Sequence, residues 1–275
     1  MIETLKSQAK NIRKLTLKSI AEVGIGHVGG SLSIVDLLTI LYLGNVMNVD
    51  PQNPQMPGRD RLIVSKGHAG PAVYATLATK GFFPVEELST LNRIGTKLPS
   101  HCDMNKTPGI DMTAGSLGQG FSCAVGIAVG SKISKDQATI FTIIGDGESQ
   151  EGQIWEAAMY ASAAKLDNLI AFLDYNHLQI DGRIEQINTL GDIDQKWSSF
   201  GWFTQHIKGH DYQAILDAIK KAKAHRGRPS MIVLETVKGK GVSFVEAAGA
   251  TNHNMPFSKA QYEQACVELD SQGDN

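Results

Sequence analysis

Apolar residues near the start of the chain recur at helical spacing. Leu5, Ala9, Ile12 and Ala21 predict one helix that stops at the loop Gly24-Ile25-Gly26-His27, and a second helix should run from Ser33, a natural N-cap, through Leu43. Pro51, Pro54 and Pro57 make 48–59 a surface loop. Residues 61–65 then read as a short strand, ended by Lys66-Gly67-His68, with Pro71 opening the next helix. Between Leu91 and Ala114 the periodicity fails, and aperiodic connections of that length are often functional. The run Ser116-Leu117-Gly118-Gln119-Gly120 leads into a segment whose Gly126 and Gly130 predict a helix packed closely on a neighbour. Two continuous apolar stretches, 138–145 and 168–174, bracket a helical pattern over 153–166 and so predict a βαβ unit. A further strand, helix and strand follow at 202–207, 211–224 and 230–237. The alternation predicts an α/β fold, a mostly parallel open sheet with helices on both faces and ligands at the carboxyl ends of its strands. One domain over 1–269 is expected, with 270–275 as a flexible tail.

Composition narrows the function classes. Among 275 residues, 26 Lys+Arg stand against 28 Asp+Glu, a formal charge of −2 without a basic stripe, so nucleic acid is not an expected partner. Apolar runs fall far short of the ~20 residues that a membrane helix needs. The start of the chain is amphipathic and has no leader pattern of basic residues followed by an apolar stretch. Cys102, Cys123 and Cys266 form no CxxC pair, which fits a reduced, cytoplasmic chain. The 28 glycines, about 10% against the usual ~7%, are clustered and mark places where backbone approaches something closely.

The chemistry concentrates on the βαβ unit. Gly145-Asp146-Gly147 closes its first strand and Asp174-Tyr175-Asn176 its second, so the side chains of Asp146 and Asn176 reach the same sheet edge. A carboxylate, an amide oxygen and a nearby carbonyl are hard ligands suited to Mg²⁺ or Ca²⁺. Flanking glycines admit a diphosphate, and the helix starting near Gln153 offers N–H groups and a positive dipole end to the same anion. Taken alone, Gly-Asp-Gly is an ordinary turn. With Glu151-Gly152, Trp155-Glu156-Ala157, Asn168 to Ala171, Asn176 and Ile180-Asp181-Gly182, it resembles the thiamine diphosphate signature of the amino-terminal half of transketolases. The likeness extends to Gly26-His27, Ser65-Lys66-Gly67-His68-Ala69, Thr107-Pro108-Gly109 and 115–120, covering nearly the whole chain.

That resemblance implies a thiamine diphosphate-binding fold. Asp146, Asn176 and the carbonyl of Leu178 would hold the divalent ion, Mg²⁺ or else Ca²⁺ or Mn²⁺. Gly147 would touch the diphosphate, and Gly115-Ser116-Leu117 would supply cofactor contacts, with Gly115 and Leu117 against the aminopyrimidine ring. Ile180 would pack on the cofactor. Glu151 matches a glutamate at the subunit interface that links two active sites. His27, His68, His101 and His253, all in glycine-rich or irregular stretches, would surround cofactor and substrate, where a near-neutral pKa suits proton transfer to sugar oxygens. The chain departs from the pattern at Val28, at Ser100-His101-Cys102-Asp103 and at Asn252-His253-Asn254, which bears on substrate detail and on the alignment of His253. The four histidines could instead suggest zinc, but separations of 41, 33 and 152 residues contain no short ligand pair.

Lys238-Gly239-Lys240-Gly241 reads either as a flexible loop with two solvated lysines or, by resemblance, as a cover over the cofactor. The family's activating glutamate sits on a pyrimidine-binding domain, for which this chain shows no matching segment. The resemblance therefore implies one half of a split transketolase, paired with a separate pyrimidine-domain chain as an α₂β₂ heterotetramer. Together they would move a two-carbon ketol unit between a ketose and an aldose, usually phosphorylated. Other readings are the α chain of a 2-oxo acid dehydrogenase, a deoxyxylulose phosphate synthase and a non-catalytic cofactor-binding relative.

Overall fold

Strand residues alternate between two cores, and that alternation builds the molecule. In the computed structural model, which describes residues 1–272, five strands form one fully parallel sheet. They are β1 (Arg61–Val64), β2 (Ile140–Gly145), β3 (Leu169–Tyr175), β4 (Phe203–Lys208) and β5 (Ser230–Glu235), in spatial order β1-β2-β3-β5-β4. Phe141, Ile143, Ile170, Phe172, Ile232 and Leu234 face one core; Ile140, Ile144, Leu169, Ala171, Met231 and Val233 face the other. Burial on both faces explains why these strands read as continuous apolar runs.

Helices cover each face. On the first lie α1 (Ile2–Val23), α2 (Val35–Leu43), α3 (Gly70–Lys80), a later helix over Tyr212–Ala224 and the last helix, Lys259–Ser271. On the second lie α4 (Gln119–Ser134), α5 (Gly152–Ala163) and the turn of helix Ile193–Ser199 that buries Trp197. Gly24, at φ 88, ends α1 as a left-handed C-cap, as its place after the last periodic residue predicts.

Three local expectations are corrected. Ser33 does not cap the second helix: Val28–Leu32 forms a helical turn of its own, Ile34 occupies the cap position of α2, and the Ser33 hydroxyl instead donates to Asp174. Gly126 and Gly130 do not pack on a neighbour within this chain, because α4 buries the opposite face through Phe121, Ala124, Val125 and Ala128. The last helix continues to Ser271, beyond the expected start of a tail at 270, and 273–275 lie outside the described residues. Among the described residues, no helix is long and apolar enough to cross a membrane.

Candidate active site

Consecutive strand ends deliver the polar groups. Register pairs Gly145 with Asp174, so the chain leaves β2 as Asp146 beside the exit of β3 at Asn176. Lys66 follows β1 and Lys238 follows β5 on the same edge. Asp146 is almost fully buried, and backbone donors fix its carboxylate: Gly147 N–H to Oδ1 at 2.7 Å, Asn176 N–H and His177 N–H to Oδ2 at 2.8 and 2.6 Å. Asn176 Oδ1 accepts from Leu178 N–H at 3.1 Å, and Leu178 O accepts from the Lys238 ammonium at 3.1 Å. Asp146, Asn176 and the Leu178 carbonyl are thereby gathered into one short stretch of edge. A Cβ on Gly147 would stand 3.0 Å from Gln179 Cβ, so the missing side chain is what lets Gln179 lie close against it.

Behind this edge lies a buried charge pair. Lys66 Nζ donates to Asp174 Oδ2 at 2.6 Å and to Gly30 O at 2.7 Å, and Asp174 also accepts from Ser33, Thr236 and the Asn176 amide. Burial alone would raise Asp174, but Lys66 and these donors hold it below the usual carboxylate range. Asp146 goes the other way. Burial, reinforced by the charge of Asp174, pushes it up to about 7, so the carboxylate sits where positive charge is short. Burial likewise brings Lys238 down to about 8, although Asp146 opposes this.

Above the edge, loops bring four imidazoles together. The ring of His27 lies 5.3 Å from that of His68, 5.5 Å from His101 and 5.4 Å from His253, and His68 lies 4.9 Å from His253. All four are depressed, with burial as the main cause. His27 falls to about 4, where His101 and Lys238 add to the effect, and His253 to about 3, where Lys238 and His27 do so. His68 and His101 are lowered as well. At neutral pH the cluster is uncharged, so each ring has one donor and one acceptor nitrogen, the acceptor of His253 being taken by the Lys238 ammonium at 3.3 Å. The remaining histidines lie elsewhere; His177, for example, bridges Glu185 and Glu235.

Charged edge and imidazoles share one cavity of about 400 Å³. Gly115, Leu117, Gly147, Glu151, Asn176, Leu178 and Ile180 line it along with Asp146 and the four histidines. Ile180 is 64% exposed at its mouth. Ser116 is outside the lining: it is exposed, and its carbonyl accepts from Gln119 N–H at the start of α4. Lys238 belongs to the cavity and is buried, so the loop does not carry two solvated lysines, whereas Lys240 lines a separate hollow. Lys66 and Glu148 escape a reading of the sequence alone. Glu148 is buried and binds Ser65, Gly118 N–H and Gly145 N–H, tying the three surrounding loops. Their one signal is a charged residue two or three positions after the end of a buried strand. Among the described residues, no group of three His, Cys, Asp or Glu side chains is arranged to hold a metal ion, so any ion here would depend on amide and carbonyl oxygens.

Residues 4–270 match the family described as transketolase, thiamine diphosphate binding domain. The chain is 56% identical over 269 residues to the 6-deoxy-6-sulfo-D-fructose transketolase subunit SqwG of Clostridium sp. (strain MSTE9), covering 98% of this chain and 97% of that protein. It is 37% identical to one subunit of the apulose-4-phosphate transketolase of Phocaeicola vulgatus, over 98% and 94% of the two chains. The solved transketolase from Leishmania mexicana superposes with a TM-score of 0.90 at 26% identity, over 98% of this chain but 42% of that one. The transketolase of Campylobacter jejuni gives the same TM-score at 29% identity and likewise is covered over 42% of its length. The 2-oxo acid dehydrogenase reading gives way to these whole-length matches with transketolase subunits. The chain belongs to the transketolase family, as the amino-terminal, thiamine diphosphate-binding subunit of a transketolase divided between two chains.

Proposed function

We propose that this subunit, together with a pyrimidine-domain partner chain, transfers a two-carbon ketol unit from 6-deoxy-6-sulfo-D-fructose to an aldose. The observation that carries the ketol-transfer reading is the convergence of four neutral imidazoles over the Asp146–Asn176 edge in one cavity. What supports the sulfosugar is the 56% identity to a subunit named for it, against 37% to one named for apulose 4-phosphate. Thiamine diphosphate, when bound, supplies the carbanion-stabilising chemistry that cleaves and remakes the C–C bond.

The chain's own residues bind and orient. Asp146, Asn176 Oδ1 and the Leu178 carbonyl fit a hard divalent cation, Mg²⁺ by preference, because the donors are all oxygen and the raised Asp146 calls for positive charge. Lys238 and the backbone at Gly147 face the place where a diphosphate would lie, and Gly115, Leu117 and Ile180 give the apolar contacts for its rings. His27, His68, His101 and His253 hold sugar hydroxyls and move protons at their oxygens, His68 also facing the cofactor. Glu151, at the exposed N-terminus of α5, is assigned to contact with another subunit. An α₂β₂ assembly in the cytoplasm completes the reading, the latter on the strength of three unpaired cysteines.

The test of substrate is a comparison of kcat/KM in the assembled two-chain enzyme for 6-deoxy-6-sulfo-D-fructose and for fructose 6-phosphate, with a common aldose acceptor. At least about a tenfold preference for the sulfosugar is expected, a difference of ~1.4 kcal/mol in transition-state binding. Equal values or a preference for the phosphate would refute the sulfosugar assignment.

A further inference from the structure

Asn252 lies fully buried on the turn Gly249–His253, one residue before His253. Its amide nitrogen donates twice, to the carbonyl of Lys238 at 3.2 Å and to that of Val245 at 2.9 Å. Its amide oxygen has no hydrogen-bond partner and abuts Gly29 so closely that a Cβ there would stand 2.0 Å away. Gly239 N–H donates to Gly29 O at 3.0 Å, closing the contact from the other side. Three segments thus meet on one buried amide: the turn after His27, the Lys238 turn and the His253 turn. Burying a primary amide is costly unless its donors are used, and an apolar side chain here would leave two carbonyls unpaired.

The residues on either side of this junction both point into the cavity. Lys238 Nζ reaches Leu178 O at 3.1 Å and His253 Nδ1 at 3.3 Å, while the His253 ring packs on His27 and His68. We propose that Asn252 is a positioning residue: by fastening the backbone of Lys238 from the residue next to His253, it sets ammonium and imidazole as one unit over the cofactor edge. The assignment rests on the cofactor reading of that edge.

A residue with a merely structural role would lower cofactor affinity independently of Lys238, whereas a positioning residue acts through it. The test titrates thiamine diphosphate, with Mg²⁺, into the full chain assembled with its partner and follows tryptophan fluorescence for Asn252→Ala, Lys238→Ala and the double variant. Each single change is expected to weaken binding about tenfold and the double change little more than the stronger single one. Independent effects, multiplying to about a hundredfold, would overturn the proposal. Asn252→Ser, which retains one donor, replaces the alanine variant if that chain does not assemble, with the same expectation of non-additivity. Hydrogen exchange over 237–241 in the cofactor-free chain is a separate arm. Asn252→Ala should accelerate it at least about tenfold while exchange in β1 stays unchanged, and unaltered exchange at 237–241 would overturn the fastening. If the wild-type complex bound no thiamine diphosphate, the functional reading would fail, and the exchange result would still decide the role of Asn252.

Discussion

The two halves of the cavity are built by different means. The charged edge is made of strand ends: Asp146 is held by three backbone N–H groups, and Lys66 and Asp174 form a buried pair with further donors around them. The histidine cluster hangs on loops and holds itself together largely by ring contacts at 4.9–6.4 Å. Buried charges require fixed partners because each unpaired one costs several kcal/mol, so they belong on regular structure. Neutral imidazoles tolerate looser support, and uncommitted ring nitrogens are what a changing set of sugar oxygens requires.

The largest expected effect falls on the edge. Asp174→Ala leaves Lys66 buried without its carboxylate and should cost about 3–5 kcal/mol in urea unfolding. A loss below ~1 kcal/mol would mean that the pair does not hold the edge in place. Next is Asp146→Ala, which should weaken Mg²⁺-dependent thiamine diphosphate binding roughly 300-fold, within the range for truncating one partner of a buried charge contact. Unchanged affinity would remove the ion from this edge. His27→Ala in the cluster should instead lower kcat about 100-fold, at the lower end for a proton-transfer group, and leave cofactor affinity within about threefold. If cofactor affinity and kcat fell together, the proposed division of labour would be wrong.

A pH series distinguishes the halves by sign. With Asp146 near 7 in the folded chain against 3.8 unfolded, the ion-free native state keeps a proton that the unfolded chain loses, so this group lowers stability as pH rises from about 4 to 7. With His27 near 4 and His253 near 3 against 6.5 unfolded, the unfolded chain gains protons that the native state refuses, so these groups raise stability with pH up to about 6.5. Urea midpoints from pH 4 to 7 should therefore climb more steeply in Asp146→Asn and less steeply in His253→Asn than in the wild type. Parallel profiles for both variants would contradict the opposed electrostatics.

Much of the edge is legible in the sequence. Continuous apolar runs announce parallel strands, and a glycine-flanked Asp and an Asn at their ends can only emerge side by side. Three of the four histidines stand in recognisable company, whereas His253 is placed only by the fold, which packs its ring on His27 and His68. Ser33 misleads because Ser is equally good as a cap and as a buried donor, and only tertiary contact with Asp174 decides which. Lys66 and Lys238 look like ordinary lysines, since burial of a charged side chain is a property of the assembled edge and leaves no local periodicity. Gly126 and Gly130 mislead for a related reason: small-residue spacing marks a face that permits close approach without saying whether this chain supplies the neighbour.

The central claim is that this chain carries the diphosphate edge and the imidazoles but only half of an active site. The most direct measurement is steady-state ketol transfer from 6-deoxy-6-sulfo-D-fructose with thiamine diphosphate and Mg²⁺, using this chain alone, the co-expressed pyrimidine-domain chain alone, and the two mixed. Turnover in the mixture, with neither chain active by itself, is the predicted result. Full turnover by this chain alone would contradict it.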